Sequence, residues 1–176
     1  MYRQLSRRVY SLSLGLCILS ILPVAANGQV AGKGPKHLSP QHTEVVDRWL
    51  AGKPDLRLAT VADCLNEDGL AATRQQNGKS YHPYYAVADF NRDKQEDLAV
   101  VLVSKRKAKD KFAIAIFNGP FGKNAVPAYF SEGWDLSDGG LFPGDDGILA
   151  GPFESDNCVI LRPRRKTYVV ADCLEG

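Results

Sequence analysis

The sequence predicts an α+β protein, in which an antiparallel β-sheet of five to seven strands carries one N-terminal helix packed on a face. Apolar residues recur at a clear helical spacing in residues 40–50. Later apolar runs are short and are separated by clusters of Gly, Pro and charged residues, which is typical of strands and turns. A helix followed by a run of strands indicates the α+β class.

Residues 1–26 have the composition of a secretory signal peptide. Three arginines (Arg3, Arg7 and Arg8) precede an apolar run at 12–22, and small residues end the segment at Ala26. We expect cleavage after Ala26, which would leave a secreted or periplasmic protein with no transmembrane segment. Adjacent arginines also occur in twin-arginine export signals, but we favour the general secretory route.

The excess of basic residues in the full chain comes from this leader. The chain has 22 Lys and Arg against 20 Asp and Glu, and without the three leader arginines it has 19 against 20, a formal charge of −1. The charge balance therefore gives no reason to expect a nucleic-acid partner. Residues 27–38, rich in Gly and Lys, are interpreted as a flexible arm, and residues 39–176 as a single globular β-rich domain.

The helix has sequence signals at both ends. Ser39 is placed to cap its N-terminus and Pro40 to occupy its first turn, whereas Gly52 and Pro54 would end it. Further along, residues 112–117 alternate large apolar side chains with alanine. The small alanines suit a sheet face that another element covers, and the helix is the obvious cover.

Three cysteines remain after the leader: Cys64, Cys158 and Cys173. In an oxidising compartment they predict one disulfide and one free thiol. If Arg165 and Lys166 form the tip of a hairpin, counting back along both strands places Cys158 opposite Cys173, within disulfide reach. We favour this pair, with a bridge from Cys64 to either partner as the alternative.

Residues 89–97 (Asp-Phe-Asn-Arg-Asp-Lys-Gln-Glu-Asp) lie between two apolar runs, at 84–88 and 98–103. This spacing predicts a strand, a tight oxygen-rich loop and a second strand. Residues 88–100 resemble the calcium loop of FG-GAP/VCBS repeats, which carry Asp-x-Asn-x-Asp-Gly-x-x-Asp-Leu between two strands. The resemblance occurs once and covers about a dozen residues, so it implies a loop type and not a propeller, which needs several blades.

The resemblance implies a calcium site with five protein ligands. Asp89, Asn91 and Asp93 would each give a side-chain oxygen, Gln95 its backbone carbonyl, and Asp97 both carboxylate oxygens, a set that suits the oxygen coordination of Ca²⁺. Calcium would be structural, since no catalytic constellation lies nearby.

Two basic residues leave an alternative open. Lys94 stands where the repeats have glycine, at a turn that favours positive φ. Lys94 and Arg92 could also neutralise the acidic side chains without a metal. In that case the segment would be a loop of side-chain-to-backbone turns with no ion.

Residues 131–151 are rich in Gly and Asp and are interpreted as a long surface loop and as the best candidate for a recognition surface, with Trp134, Phe142 and Phe153 as apolar contacts. The function that we favour is an exported, non-enzymatic, calcium-stabilised module that binds a protein or glycan at the cell envelope. The alternative is a small secreted hydrolase, or hydrolase inhibitor, that uses this loop. A pocket joining His82 to acids of the loop would favour the enzyme.

Overall fold

The structure is a computed structural model that describes residues 38–106 and 111–173. The predicted signal peptide and nearly all of the predicted arm lie outside the described residues. Two longer helices are present in the described part, α1 (Pro40–Leu50) and α2 (Glu67–Asn77), with a short 3-10 helix at Val61–Asp63. The strands are β1 (Leu56–Leu58), β2 (Tyr85–Ala88), β3 (Asp97–Ser104), β4 (Phe112–Phe117), β5 (Tyr129–Trp134), β6 (Gly139–Gly144), β7 (Gly147–Pro152), β8 (Val159–Arg164) and β9 (Thr167–Asp172).

The strands form two antiparallel sheets, so the expectation of a single sheet is wrong. The first sheet has the order β1-β3-β4-β5, and β2 also pairs with β3. Leu58 is opposite Leu102 and Tyr85 is opposite Val100, so β1 and β2 share one edge of β3. The second sheet is a meander in the order β6-β7-β8-β9. The mixed α and β content agrees with the predicted fold class.

Alternate side chains of β3 and β4 enter two separate apolar clusters. One cluster joins Val101 and Ile114 to second-sheet residues such as Leu161. The other joins residues of the opposite face, including the alanines of β4, to Val45 and Val46 of α1. Because strand side chains alternate between faces, β3 and β4 are covered on both sides, and their side chains are buried almost without interruption.

Helix α1 begins and ends where the sequence predicts. The Ser39 hydroxyl accepts a hydrogen bond from the His42 backbone N–H at 3.1 Å, and Pro40 is the first helical residue. Helix α2 also has a capping residue. Asn66 caps it by accepting from the Gly69 N–H at 2.8 Å, and Glu67 and Asp68 occupy its first turn. No helix of the described residues is long and apolar enough to cross a membrane.

The interpretation of residues 131–151 as a long loop is wrong, because they contain the end of β5, all of β6 and most of β7. Glycines of this segment allow neighbouring strands to approach closely. A Cβ atom on Gly139 would lie 2.0 Å from the Gly151 carbonyl oxygen, so only glycine permits the two strands to approach so closely. Asp145 and Asp146 form the turn between the strands.

The closing hairpin has the predicted register. Arg164 faces Thr167, and Leu161 faces Val170. Cys158 and Cys173 form a disulfide with a Cα–Cα distance of 5.7 Å, which confirms the favoured pairing. Cys64 is a buried free thiol, and burial raises its pKa.

Arg57 and Asp63 join β1 to the 3-10 helix through a two-pronged ion pair, with nitrogen–oxygen distances of 2.8 and 2.6 Å. The hydrogen bonds from Arg57, together with that from the Thr60 N–H, lower the pKa of the buried Asp63 carboxyl to about 2.

This shift predicts a specific pH dependence of stability. Because the folded pKa of Asp63 lies below its unfolded value, the pair contributes fully above pH 3.8, and the contribution is lost as the pH falls through about 2. We expect the free energy of unfolding to fall by about 1–2 kcal/mol, a loss kept small because Arg57 is partly exposed to solvent. Urea unfolding between pH 6 and pH 2 measures it. Asp63→Asn should flatten the acid part of the curve, and an unchanged curve would contradict this assignment.

Candidate functional site

The 89–97 loop joins β2 to β3, and the side chains of Asp89, Asn91 and Asp93 accept hydrogen bonds from the loop's own backbone. The Asp93 N–H donates to Asp89 Oδ1 at 3.0 Å and to Asn91 Oδ1 at 2.9 Å. The Lys94 N–H donates to Asp89 Oδ2 at 2.8 Å, and the Gln95 N–H donates to Asp93 Oδ1 at 2.8 Å. Side-chain oxygens from alternate positions therefore meet at one tight turn.

Two non-glycine residues of this loop have left-handed backbone conformations. Arg92 has φ of 61° and Lys94 has φ of 69°. Lys94 therefore has the backbone conformation that glycine adopts most easily. This conformation costs on the order of 1 kcal/mol for a residue that, like lysine, has a Cβ atom.

Asp97 differs from the other predicted ligands because its side chain is completely buried. Its Oδ2 accepts from the N–H groups of Phe90 at 3.0 Å and Asn91 at 3.2 Å, and its Oδ1 accepts from the Gly119 N–H at 2.9 Å. Burial raises the pKa of Asp97, and the three N–H donors offset part of that shift. The Tyr168 hydroxyl donates to Asn118 Oδ1 at 3.0 Å and lies 3.5 Å from Asp97 Oδ2.

Gly119 explains how a distant loop reaches this carboxylate. A Cβ atom at Gly119 would lie 2.4 Å from the Glu96 carbonyl oxygen, so a larger residue here would force the two backbone segments apart. The close approach lets the Gly119 N–H donate to Asp97. Asp97 consequently connects both ends of its own loop to the segment that follows β4.

The donor chemistry of the loop suits calcium, because it consists of carboxylate and amide oxygens. Asp89, Asn91 and Asp93 lie at the turn, whereas the Asp97 oxygens are occupied by backbone N–H groups in the interior. Each oxygen at the turn accepts a single hydrogen bond and keeps a second lone pair. Asp97 Oδ1 also keeps one, whereas Asp97 Oδ2 already accepts two N–H groups. Within residues 38–106 and 111–173, no three His, Cys, Asp or Glu side chains are grouped in a way that could hold a metal ion.

Two contacts from outside the loop were not predicted. Buried His42 of α1 contacts the Tyr85 hydroxyl through Nδ1 at 2.7 Å and Glu96 Oε1 through Nε2 at 2.9 Å. The Glu96 carboxylate can only accept, so His42 Nε2 carries a proton and donates to it. Burial, with the Glu96 carboxylate, raises the pKa of Tyr85 to about 12, so its hydroxyl keeps its proton. His42 and Glu96 are 54 residues apart, and no sequence signal joins them.

Arg92 provides the second contact. Its Nη2 donates to Asp146 Oδ1 and to the Asp145 carbonyl oxygen, both at 2.6 Å. These acceptors belong to the turn between β6 and β7. The exposed loop of the first sheet is therefore bonded directly to the second sheet.

The three aromatic residues of the predicted recognition surface do not lie together on one surface. Phe153 is buried, and Phe142 is partly buried and stacks on Tyr81 with ring centroids 5.3 Å apart. Trp134 instead lines a cleft of about 330 Å³ between the end of β5 and strands β6 to β8. We call this the Trp134 cleft. Its polar lining residues are Asp135, Asp138 and Asn157.

His82 does not belong to the Trp134 cleft, whose described lining includes no histidine. Burial and the charge of Arg74 lower the pKa of His82. The arrangement that would have favoured the hydrolase is therefore not formed at this cleft.

The chain was also compared with protein-family models, with curated proteins and with solved structures, and it matches none of them.

Proposed function

We propose that the protein is an exported, non-enzymatic binding module whose 89–97 loop takes up calcium in a structural role. The observation that carries the calcium part is the convergence of oxygens from Asp89, Asn91 and Asp93 on one turn. The left-handed backbone at Lys94 supports the same loop type. Gln95 and Asp97 would complete the ligand set that the resemblance implies.

A bound calcium ion would supply positive charge to three carboxylates that lie within nine residues of one another. Asp89, Asn91 and Asp93 lie on a turn that hydrogen bonds hold in shape, which supports the proposal. Asp89 and Asp93 are exposed, so their mutual repulsion is screened by water and the gain from an ion is modest. Calcium would accordingly stabilise the fold without taking part in catalysis.

The binding part of the proposal depends on the leader and on the Trp134 cleft. A signal peptide at 1–26 would send the domain to the envelope or outside the cell. Ligand sites are concave and combine apolar side chains with a few polar groups, as the Trp134 cleft does. The partner would be a protein or glycan of that compartment.

The calcium proposal predicts a shift in thermal stability. At millimolar calcium the melting temperature should exceed that in chelator by about 3–6 °C, as expected for a ligand well above its dissociation constant. Asp93→Ala should abolish the difference, because it removes one of the exposed ligands. Lys94→Gly should enlarge it, because glycine adopts the required φ freely and removes a competing charge.

Asp47→Ala is a matched control, since it removes an exposed aspartate from α1 and should leave the calcium shift unchanged. Identical melts of the wild-type protein in calcium and in chelator would refute the calcium proposal, and the loop would then be held by its backbone hydrogen bonds alone.

A further inference from the structure

We propose that strand β9 is the contact surface for a second copy of this chain. Two β9 strands would pair edge to edge in antiparallel orientation and join the second sheets of two molecules. This inference goes beyond the proposed function, because the partner is the protein itself. It uses neither the 89–97 loop nor the Trp134 cleft, whose lining includes no residue of 166–172.

Strand β9 is an edge strand with unpaired backbone groups. Within the described residues it pairs with β8 alone. The Cys173 N–H donates to the Cys158 carbonyl oxygen, on the side of β8. Because backbone groups of alternate residues point to opposite sides of a strand, those of Tyr168, Val170 and Asp172 point away from β8. An edge of this kind is a template for another strand.

The side chain of Val170 is only partly covered. Val170 lies opposite Leu161, which is fully buried, and on the same face of β9 as buried Tyr168. Val170 is nevertheless 50% exposed, because the core ends at this edge. If a second β9 strand continued the sheet, Val170 would lie beside Tyr168 of the second copy, and apolar surface would leave water.

The other sheet edges are protected against pairing. At the far edge of the second sheet, β6 contains Pro143, and its Leu141 N–H donates to the Pro83 carbonyl oxygen. In the first sheet, β5 carries Glu132 and has an irregular register against β4, and β1 and β2 have only three and four residues. Strand β9 (Thr-Tyr-Val-Val-Ala-Asp) has no Lys, Pro or Gly and is rich in β-branched residues. Its composition therefore favours pairing.

Strand β9 is held in place at both ends before any partner binds. The disulfide between Cys158 and Cys173 closes the end of the strand. At its start, the Thr167 hydroxyl donates to the Ala128 carbonyl oxygen at 2.9 Å. A strand that is already ordered loses little freedom on association, which favours affinity.

Charge complementarity indicates that the pairing strand is another β9. The hairpin tip before β9 is positive, with Arg165 and Lys166, and the strand ends at Asp172. Lys166 and Asp172 are exposed, and neither forms an ion pair with another described residue. In an antiparallel pair centred on Val169, Lys166 of each copy lies opposite Asp172 of the other. The two-fold axis makes this contact twice with one self-complementary surface.

Sedimentation velocity of the mature protein in chelator tests the inference, and the chelator separates it from the calcium proposal. The wild-type protein should pass from monomer to dimer as its concentration rises from about 10 μM to about 1 mM, as expected for a small interface. Lys166→Glu and Asp172→Lys should each weaken the dimer by about tenfold, because each sets like charges opposite one another twice. Lys166→Glu/Asp172→Lys should return the dimer to within about threefold of wild type, since the opposite charges meet again in exchanged positions.

Lys79→Glu and Asp47→Lys are the matched controls, because they reverse exposed charges outside β9. They should change the dissociation constant by less than about twofold. Val170→Pro removes an outward N–H and should abolish the dimer; if it does not fold, the variants at exposed charges decide the question. A protein that stays monomeric over the whole range would overturn the inference. Controls as weak as the β9 charge variants, a double variant as weak as the single ones, or a folded Val170→Pro protein that still dimerises would overturn it as well.

Discussion

Replacing Asp97 by alanine is expected to lower the free energy of unfolding by about 3–5 kcal/mol. The carboxylate is fully buried and accepts hydrogen bonds from three backbone N–H groups, those of Phe90, Asn91 and Gly119. Without it the donors lose their acceptor, and each buried unsatisfied group costs roughly 1–3 kcal/mol, although water can enter beside the partly buried ones. Urea or thermal unfolding followed by circular dichroism measures the change.

Asp93→Ala is the matched control for this effect. It removes the same side chain from the same loop, but Asp93 is exposed and its oxygens serve a single turn. In chelator, where calcium plays no part, we expect it to cost less than about 1 kcal/mol. Similar losses for Asp93→Ala and Asp97→Ala would show that the buried carboxylate is not the main support of the loop.

Removing the disulfide should produce the second large loss of stability. Cys158 and Cys173 are separated by 15 residues, and opening a covalent loop of that size costs about 3 kcal/mol through the greater freedom of the unfolded chain. Cys158→Ser/Cys173→Ser should therefore unfold at lower urea concentration than the wild-type protein, by about 2–3 kcal/mol. Reductant should produce the same shift in the wild-type protein and none in the double variant.

Cys64→Ser provides the comparison, because it replaces a buried thiol that has no bridge. The Cys64 Sγ lies 3.5 Å from the Asn66 carbonyl oxygen, a contact that a serine hydroxyl can also make. We expect the Cys64→Ser variant to be about as stable as the wild-type protein and to be destabilised by reductant in the same way. Peptide mapping without reduction should recover residues 158 and 173 in one linked fragment, and a fragment that contains residue 64 would contradict the assignment.

The features that the sequence predicted correctly depend on residues close together in the chain. Ser39 and Pro40 define the start of α1 within one turn. The register of the β8–β9 hairpin follows from counting outward from its tip, and it located the disulfide. The strands on either side of the 89–97 loop were visible as uninterrupted apolar runs.

The features that were missed depend on contacts between distant residues, or on glycine, which occurs both in loops and where two strands approach closely. The glycines of residues 139–151 suggested a loop, whereas Gly139 is needed because two strands pass within contact distance. The contact of His42 with Glu96 and that of Arg92 with Asp146 require helix and sheets to be assembled first. The spacing of the acidic and amide residues predicted a tight oxygen-rich loop, but no local pattern indicated that Asp97 would be buried against Gly119.

The burial of β3 on both faces has a consequence for the chain before it folds. Residues 98–103 form an uncharged run of Leu, Ala and Val, the composition of segments that self-associate into cross-β aggregates when exposed. Charged residues border the run on both sides: Glu96 and Asp97 before it, Lys105 and Arg106 after it. Such flanking charges oppose stacking of unfolded chains. Asp97 thus acts twice, as the buried acceptor of the folded loop and as a charge that keeps the unfolded strand in solution.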